Sequence, residues 1–204
     1  GNTRTFDYVI RRELDVAEGD PINDSRIKLI KKKLNRLAFF SKTDVKNIII
    51  DDETQDLNIN VEETQTGSFN VGLSLATLEG VSFVSGLKER NINGTGRSLE
   101  FLINTNENNR AFTLSTSEKL YFNNDVNHSY STSYKENDFS KSKSYKLNTF
   151  NVDTSFKYLL SENIFHDFGI GYSIKDYIVT NSSSVSSNIQ KSSGENISFN
   201  INNE

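Results

Sequence analysis

His128 and His166 are the first residues to test for chemistry, because imidazole serves both proton transfer and metal ligation. His128 falls in the alternating run "NHSYSTSY" and His166 in a predicted turn. Nothing in their spacing brings two imidazoles onto one metal ion. The acidic pairs Asp51–Asp52 and Glu62–Glu63 fall in a turn and at a strand end, without the setting of a glycosidase carboxylate pair. "NGTG" at 93–96 has the glycines of a phosphate loop but lacks its lysine and following helix, so it is expected to be a turn between strands. No cysteine is present, which excludes disulfides, thiolate zinc sites and thiol nucleophiles. The sequons at Asn93, Asn127, Asn181 and Asn196 are the chance yield of an Asn- and Ser-rich chain. These residues predict no enzyme, no cofactor and no metal.

Composition points the same way. Of 204 residues only 34% are hydrophobic, yet 11% are aromatic, and the net charge is −4. A disordered chain lacks aromatics, and a soluble globule carries more Leu, Val and Ala. Strands with one apolar and one wet face satisfy both figures. The acidic balance gives no nucleic-acid signal. No stretch approaches the ~18 apolar residues of a membrane helix. Beginning at "GNTRT" without Met and stopping inside an alternating run, the chain reads as a fragment.

The first sixty residues are helical, then extended. Phe6, Ile10 and Leu14 recur at i, i+4 and i+8 with Val9 beside them, and Thr5 is a suitable N-cap with Asp7 in the first turn. Gly19 and Pro21, the single proline, close that segment. A second helix is predicted after Asn23 or Asp24, with Ile27, Ile30, Leu34 and Leu37 as its apolar stripe. Lys31–Lys33 and their basic neighbours form its solvated face. "TDVKNIIID" and "QDLNINVEE" read as strands. Helix, helix, strand, strand is a thin core, since an isolated hairpin is marginal in water. One more strand, upstream of Gly1, would complete it.

From Gly67 the period becomes 2. Phe69, Val71, Leu73 and Leu75 alternate with Asn70, Gly72, Ser74 and Ala76. The same pattern runs through 99–103, 112–122, 128–134, 150–158, 168–174 and 197–201, and polar clusters separate the runs. Strands of ~10 residues cross a bilayer when tilted. A soluble sandwich also alternates, but its strands are shorter and its turns use more proline. The segment is therefore read as roughly eight antiparallel transmembrane strands of a partial or small β-barrel. Tyr121, Phe122, Tyr158, Phe165, Tyr172 and Tyr177 are candidates for interfacial girdles.

Several stretches together resemble the BamA family, the assembly factors for bacterial outer-membrane β-barrels. They are "GNTRTFDYVIRREL…EGDPIN" at 1–23, "LNRLAFFSKTDV" at 34–45, "VEETQTGSFNVGL" at 61–73, "RNINGTGRSLEF" at 90–101 and "SENIFHDFGIGY" at 161–172. The resemblance spans essentially the whole chain. It implies an α+β POTRA-like periplasmic module at 1–66, lacking its first strand, followed by the N-terminal part of an outer-membrane barrel at 67–204. It implies, further, that the first barrel strand lies at a weakly paired seam. Client strands would pair there along Gly67, Ser68, Phe69, Asn70, Val71, Gly72, Leu73, Ser74 and Leu75. Gly72 is expected to loosen that strand. Arg11, Glu13 and Glu18 correspond to the contact with a partner lipoprotein. The strand at 40–51, through Val45, Asn47, Ile48, Ile49 and Ile50, is a candidate edge for capturing unfolded clients.

The expected partners are unfolded outer-membrane clients, accessory lipoproteins and the bilayer, without nucleic acid. The expected location is the outer membrane, with the N-terminal module in the periplasm. Competing readings are a POTRA–barrel polypeptide transporter of the two-partner-secretion or translocation-and-assembly kind, a small structural barrel or adhesin, and a soluble carbohydrate-binding β-domain.

Overall fold

A computed structural model describes residues 1–51, 54–76, 80–120, 123–161 and 164–203. It forms two compact units. One is Gly1–Gly67 with Glu89–Arg97, and the other is Ser68–Lys88 with Ser98–Glu204.

The first unit opens with a short helix, α1 (Asp7–Arg11), and a longer one, α2 (Asp24–Leu37). The i, i+4, i+8 stripe predicts a longer α1 than the structure holds. Glu13 and Leu14 already bond three residues back, to Ile10 and Arg11, and Asp15 turns left-handed at φ 50°. Its cap is also Phe6, whose side chain stays half exposed, rather than Thr5, which is buried and engaged elsewhere. α2 follows its sequence signals closely. Asn23 accepts from the Arg26 N–H at 2.9 Å, which satisfies one of the orphan donors of the first turn. Ile30 and Leu34 are fully buried. The helix ends on Ala38 in the left-handed conformation, φ 56°.

Two strands, β1 (Phe40–Ile49) and β2 (Gln55–Glu63), follow as an antiparallel hairpin. β1 starts three residues before "TDVKNIIID". The extra length seats Phe40 in the core with Val9, Ile10, Ile30, Leu34, Phe39, Val45 and Val61. Helices cover one face of the hairpin, and its alternation sends Val45 and Val61 inward.

The second unit is an eight-stranded antiparallel sheet in simple sequence order. Its strands are β3 (Gly67–Ala76), β4 (Gly80–Glu89), β5 (Ser98–Thr105), β6 (Asn109–Leu120), β7 (Asn123–Asp138), β8 (Tyr145–Ser161), β9 (Ile164–Val179) and β10 (Gly194–Asn203). Short helices lie in two of the connections, α3 (Ser140–Lys143) between β7 and β8 and α4 (Ser187–Lys191) between β9 and β10. Cross-strand register turns the period-2 pattern into rows. Ile103, Phe112, Tyr134, Phe150, Ile174 and Ile197 form one row across six strands. Phe101, Leu114, Thr132, Val152, Tyr172 and Phe199 form the next. On the opposite face, Glu100, Ser115, Ser131, Asp153, Gly171 and Asn200 make an equally continuous polar row. One face is apolar and bare, and the other is wet. The sheet is open among the described residues, with β3 and β10 at its edges. That is the partial barrel the alternation predicts.

His166 lies inside β9 rather than in a turn, because β8 and β9 extend past the apolar runs that mark their centres. The predicted girdle residues Tyr121 and Phe122 lie outside the described residues.

Candidate strand-pairing edges

β3 is the first strand of the sheet. It bonds to β4 on one side and has no strand on the other among the described residues. A sheet edge presents a row of N–H and C=O groups ready for a partner. On the apolar face of β3, Phe69, Val71, Leu73 and Leu75 are all exposed, Leu75 by 84%. Ser68, Asn70, Gly72 and Ser74 take the wet face. A Cβ built on Gly72 would meet nothing within 4 Å, so the glycine relieves no crowding there. β10 is the opposite edge, and its Ile197, Phe199 and Ile201 are likewise exposed.

β1 is another edge, paired with β2 and with no further strand among the described residues. Its residues do different things. Val45 is buried in the core, and Asn47 donates its amide to Gln55 across the hairpin. Ile48, Ile49 and Ile50 are exposed, Ile49 by 77%, and Ile50 lies just past the strand, where its N–H bonds to Thr54. The exposed apolar part of this edge is therefore its tip.

The three charges read as a lipoprotein contact separate. Arg11 and Glu18 are exposed and line a groove of about 560 Å³ with Ile10, Leu14, Leu57 and Ile59. Glu13 is only 4% exposed and lies 3.7 Å from Arg12, inside the module. Of the cations on α2, Lys33 pairs with Asp15 and Arg26 with Asp20.

Among the described residues, no three His, Cys, Asp or Glu side chains are grouped to hold a metal. His128 is a packed aromatic. Its ring stacks on Phe156 at 4.2 Å and meets the tilted Tyr130 ring at 4.1 Å, with Nε2 2.9 Å from the Thr154 hydroxyl.

Sequence reasoning missed a cluster that does carry perturbed chemistry. The Glu63 carboxylate accepts from the backbone N–H groups of Thr3 at 2.9 Å, Arg4 at 3.0 Å and Thr5 at 2.7 Å. Burial pushes its pKa up, but the hydrogen bonds from Thr5, Thr3 and Arg4 outweigh that and hold it down at about 2. "NGTG" belongs to the same unit. Ile92–Gly94 forms a single 3₁₀ turn, and Gly94, at φ +75°, sits so close to the chain that a Cβ would fall 1.8 Å from the Arg4 carbonyl oxygen. The usable signal was the glycine pair itself, which marks close backbone approach as well as a turn.

Comparison with known proteins bears on the whole chain. Residues 1–64 match the POTRA family, described as a surface antigen variable number repeat. The outer membrane protein assembly factor BamA of Buchnera aphidicola (subsp. Acyrthosiphon pisum, strain APS) is 32% identical over 178 residues. That alignment covers 84% of this chain and 28% of the relative. BamA of Neorickettsia risticii (strain Illinois) is 27% identical over 85% of this chain and 23% of its own length. The chain thus spans about a quarter of the curated relatives it matches. In fold, BamA from Haemophilus ducreyi lacking POTRA domains 1–3 superposes with a TM-score of 0.79 at 23% identity. It covers all of this chain and 41% of that one. CdiB from Acinetobacter baumannii follows at TM-score 0.65 and 14% identity, over 98% of this chain and 40% of that one. A POTRA module running directly into antiparallel barrel strands, with these sequence matches along it, places the chain in the BamA family.

Proposed function

We propose that this chain is the part of a BamA-type factor that receives client strands during assembly and insertion of β-barrel proteins into the bacterial outer membrane. The observation that carries the reading is β3, a ten-residue edge strand with one side of its ladder unpaired and its apolar face bare. In hydrocarbon each unpaired backbone group costs several kcal/mol, so a client strand that supplies partners is strongly favoured without nucleotide or catalytic residue. Main-chain pairing is also indifferent to client side chains, which suits a general acceptor. Gly67, Ser68, Phe69, Asn70, Val71, Gly72, Leu73, Ser74 and Leu75 form the acceptor edge. The β1 tip at Ile48–Ile50 supplies a second, weaker holding edge. Arg11 and Glu18 face an accessory lipoprotein. The first unit lies in the periplasm and the sheet in the outer membrane.

Export of a polypeptide through a POTRA–barrel pore is the second reading, favoured by the shared fold with CdiB. A single experiment separates the two. In the full-length protein, residue 72 or 74 is changed to cysteine and locked to the closing strand by a disulfide. Strand addition requires client insertion to stop on oxidation and return on reduction. Insertion at the unlocked rate by the oxidised protein sinks the proposal, and continued export through a locked seam supports the pore.

A further inference from the structure

Residues 3–8, 63–66 and 89–97 of the first unit are stitched into one network that ends at Thr66, the residue before β3. Glu63 takes the N–H groups of Thr3, Arg4 and Thr5, together with the Thr3 hydroxyl at 2.9 Å. The Arg4 guanidinium donates to the Thr64 carbonyl at 2.7 Å. Asn91 donates to the Thr5 hydroxyl at 2.9 Å and accepts from the Gly96 N–H at 2.7 Å. The Phe6 N–H reaches the Gly94 carbonyl at 2.9 Å. From Asn91 the network continues to Glu89, whose carboxylate accepts the Asn91 N–H at 2.8 Å and also bonds the Thr66 side chain. The Arg90 N–H closes it onto the Thr66 carbonyl at 3.3 Å.

Two properties make this more than ordinary turn satisfaction. Its central acceptor is a carboxylate whose side chain is only 7% exposed, so its bonds are charge-assisted and screened little by solvent. Its two ends, Thr66 and Glu89, are the last residue before β3 and the final residue of β4. Among the described residues, no hydrogen-bonded side-chain network of this kind flanks the other end of β3.

We propose that Glu63 and Asn91 are positioning residues for strand addition, their network pinning the Gly67 end of β3 so that the strand loosens from its Ala76 end. The acceptor edge then stays in register while its far half opens. A client strand meets a fixed starting point rather than a strand free to slip by a residue, and a one-residue slip would turn every side chain to the wrong face. This rests on the strand-addition reading, which it refines by assigning the opening a direction.

The test uses the full-length protein, freed of any other cysteines, in lipid vesicles, with amide exchange read along 67–76 and client insertion measured in parallel. The wild type should show slow exchange at 67–69 rising towards 76. In Glu63→Gln and, separately, Asn91→Ala, exchange at 67–69 should quicken about tenfold, as expected for losing bonds to a charged group. Exchange at Val9 and Leu34 should stay unchanged, which shows the module still folded, and insertion should slow. Bridging Thr5→Cys to Asn91→Cys with a short bis-maleimide in the Glu63→Gln background should restore both the gradient and insertion. Unchanged exchange at 67–69 in both variants, or a bridge that restores neither, overturns the assignment. A wild type that inserts no client removes the strand-addition reading, and the exchange gradient still decides whether the network pins β3.

Discussion

Asn70 on β3 lies across Gly86 on β4. A methyl group built on Gly86 would fall 2.7 Å from Asn70 Oδ1 and 2.9 Å from Leu102 Cδ2. Gly86 is buried, and its missing side chain is the room that Asn70 occupies on the wet face of the first hairpin. Gly86→Val should therefore force both neighbours aside and destabilise the sheet by about 1–3 kcal/mol, the usual cost of overpacking. The matching change Asn70→Ala in the same chain should recover part of it. Denaturant unfolding in detergent micelles, compared across the two single variants and the double variant, reads the coupling. Strict additivity would mean that the two residues do not share the space.

The rows across the sheet make a second, face-specific expectation. Val152 sits in the central apolar row and Asn151, one residue away, on the polar face. In a bilayer Val152→Lys should cost about 2–4 kcal/mol, while Asn151→Lys should cost little. Equal effects in lipid would show that the apolar face does not meet hydrocarbon.

Glu63 gives a pH signature. Its folded pKa, about 2, lies below the ordinary value of 4.5. A depressed carboxylate contributes its full stability above the unfolded pKa and loses it as pH falls towards the folded one. The stability difference between wild type and Glu63→Gln should thus be constant above pH ~5, at about 1–3 kcal/mol, and shrink from there towards pH ~2. Unfolding curves of the full-length protein at stepped pH values check this. A difference that grows on acidification would contradict it.

Ala38 ends α2 in the left-handed region, where a Cβ is strained and glycine is not. Ala38→Gly should stabilise the first unit by about 0.5–1 kcal/mol, the strain relieved exceeding the added freedom of the unfolded chain. A lower midpoint in urea for the variant would show that the alanine methyl makes a compensating contact.

Much of this architecture was readable because alternation leaves little choice. Once Phe112, Leu114 and Thr116 face one way, the partner runs at 130–134 and 150–154 fall into rows beside them. α2 was equally plain, with Asn23 to cap it and Ile30 and Leu34 a turn apart. α1 was not, because its Phe6–Ile10–Leu14 spacing is helical while Asp15, turning left-handed, halts the helix early. In the sequence Glu63 is half of an acidic pair at a strand end. Its task is set by backbone N–H groups about sixty residues away in sequence, and no local pattern announces them. "NGTG" was legible as a turn but not as a close-contact surface, since glycine gives the same letter to both needs. Periodicity marks the edge at β3 but assigns it no task; the role proposed for it comes from the family resemblance.

Among the described residues the antiparallel sheet ends at β3 on one side and β10 on the other, so a polypeptide of just this length would carry two unlike ladders on a single body. Two copies meeting β3 to β10 would join head to tail, and each junction would leave one ladder free at either extremity, so growth would have no natural stopping point. Cut loose from whatever completes it, this stretch of chain is a monomer for polymerisation, and only closure or a bound guest caps it.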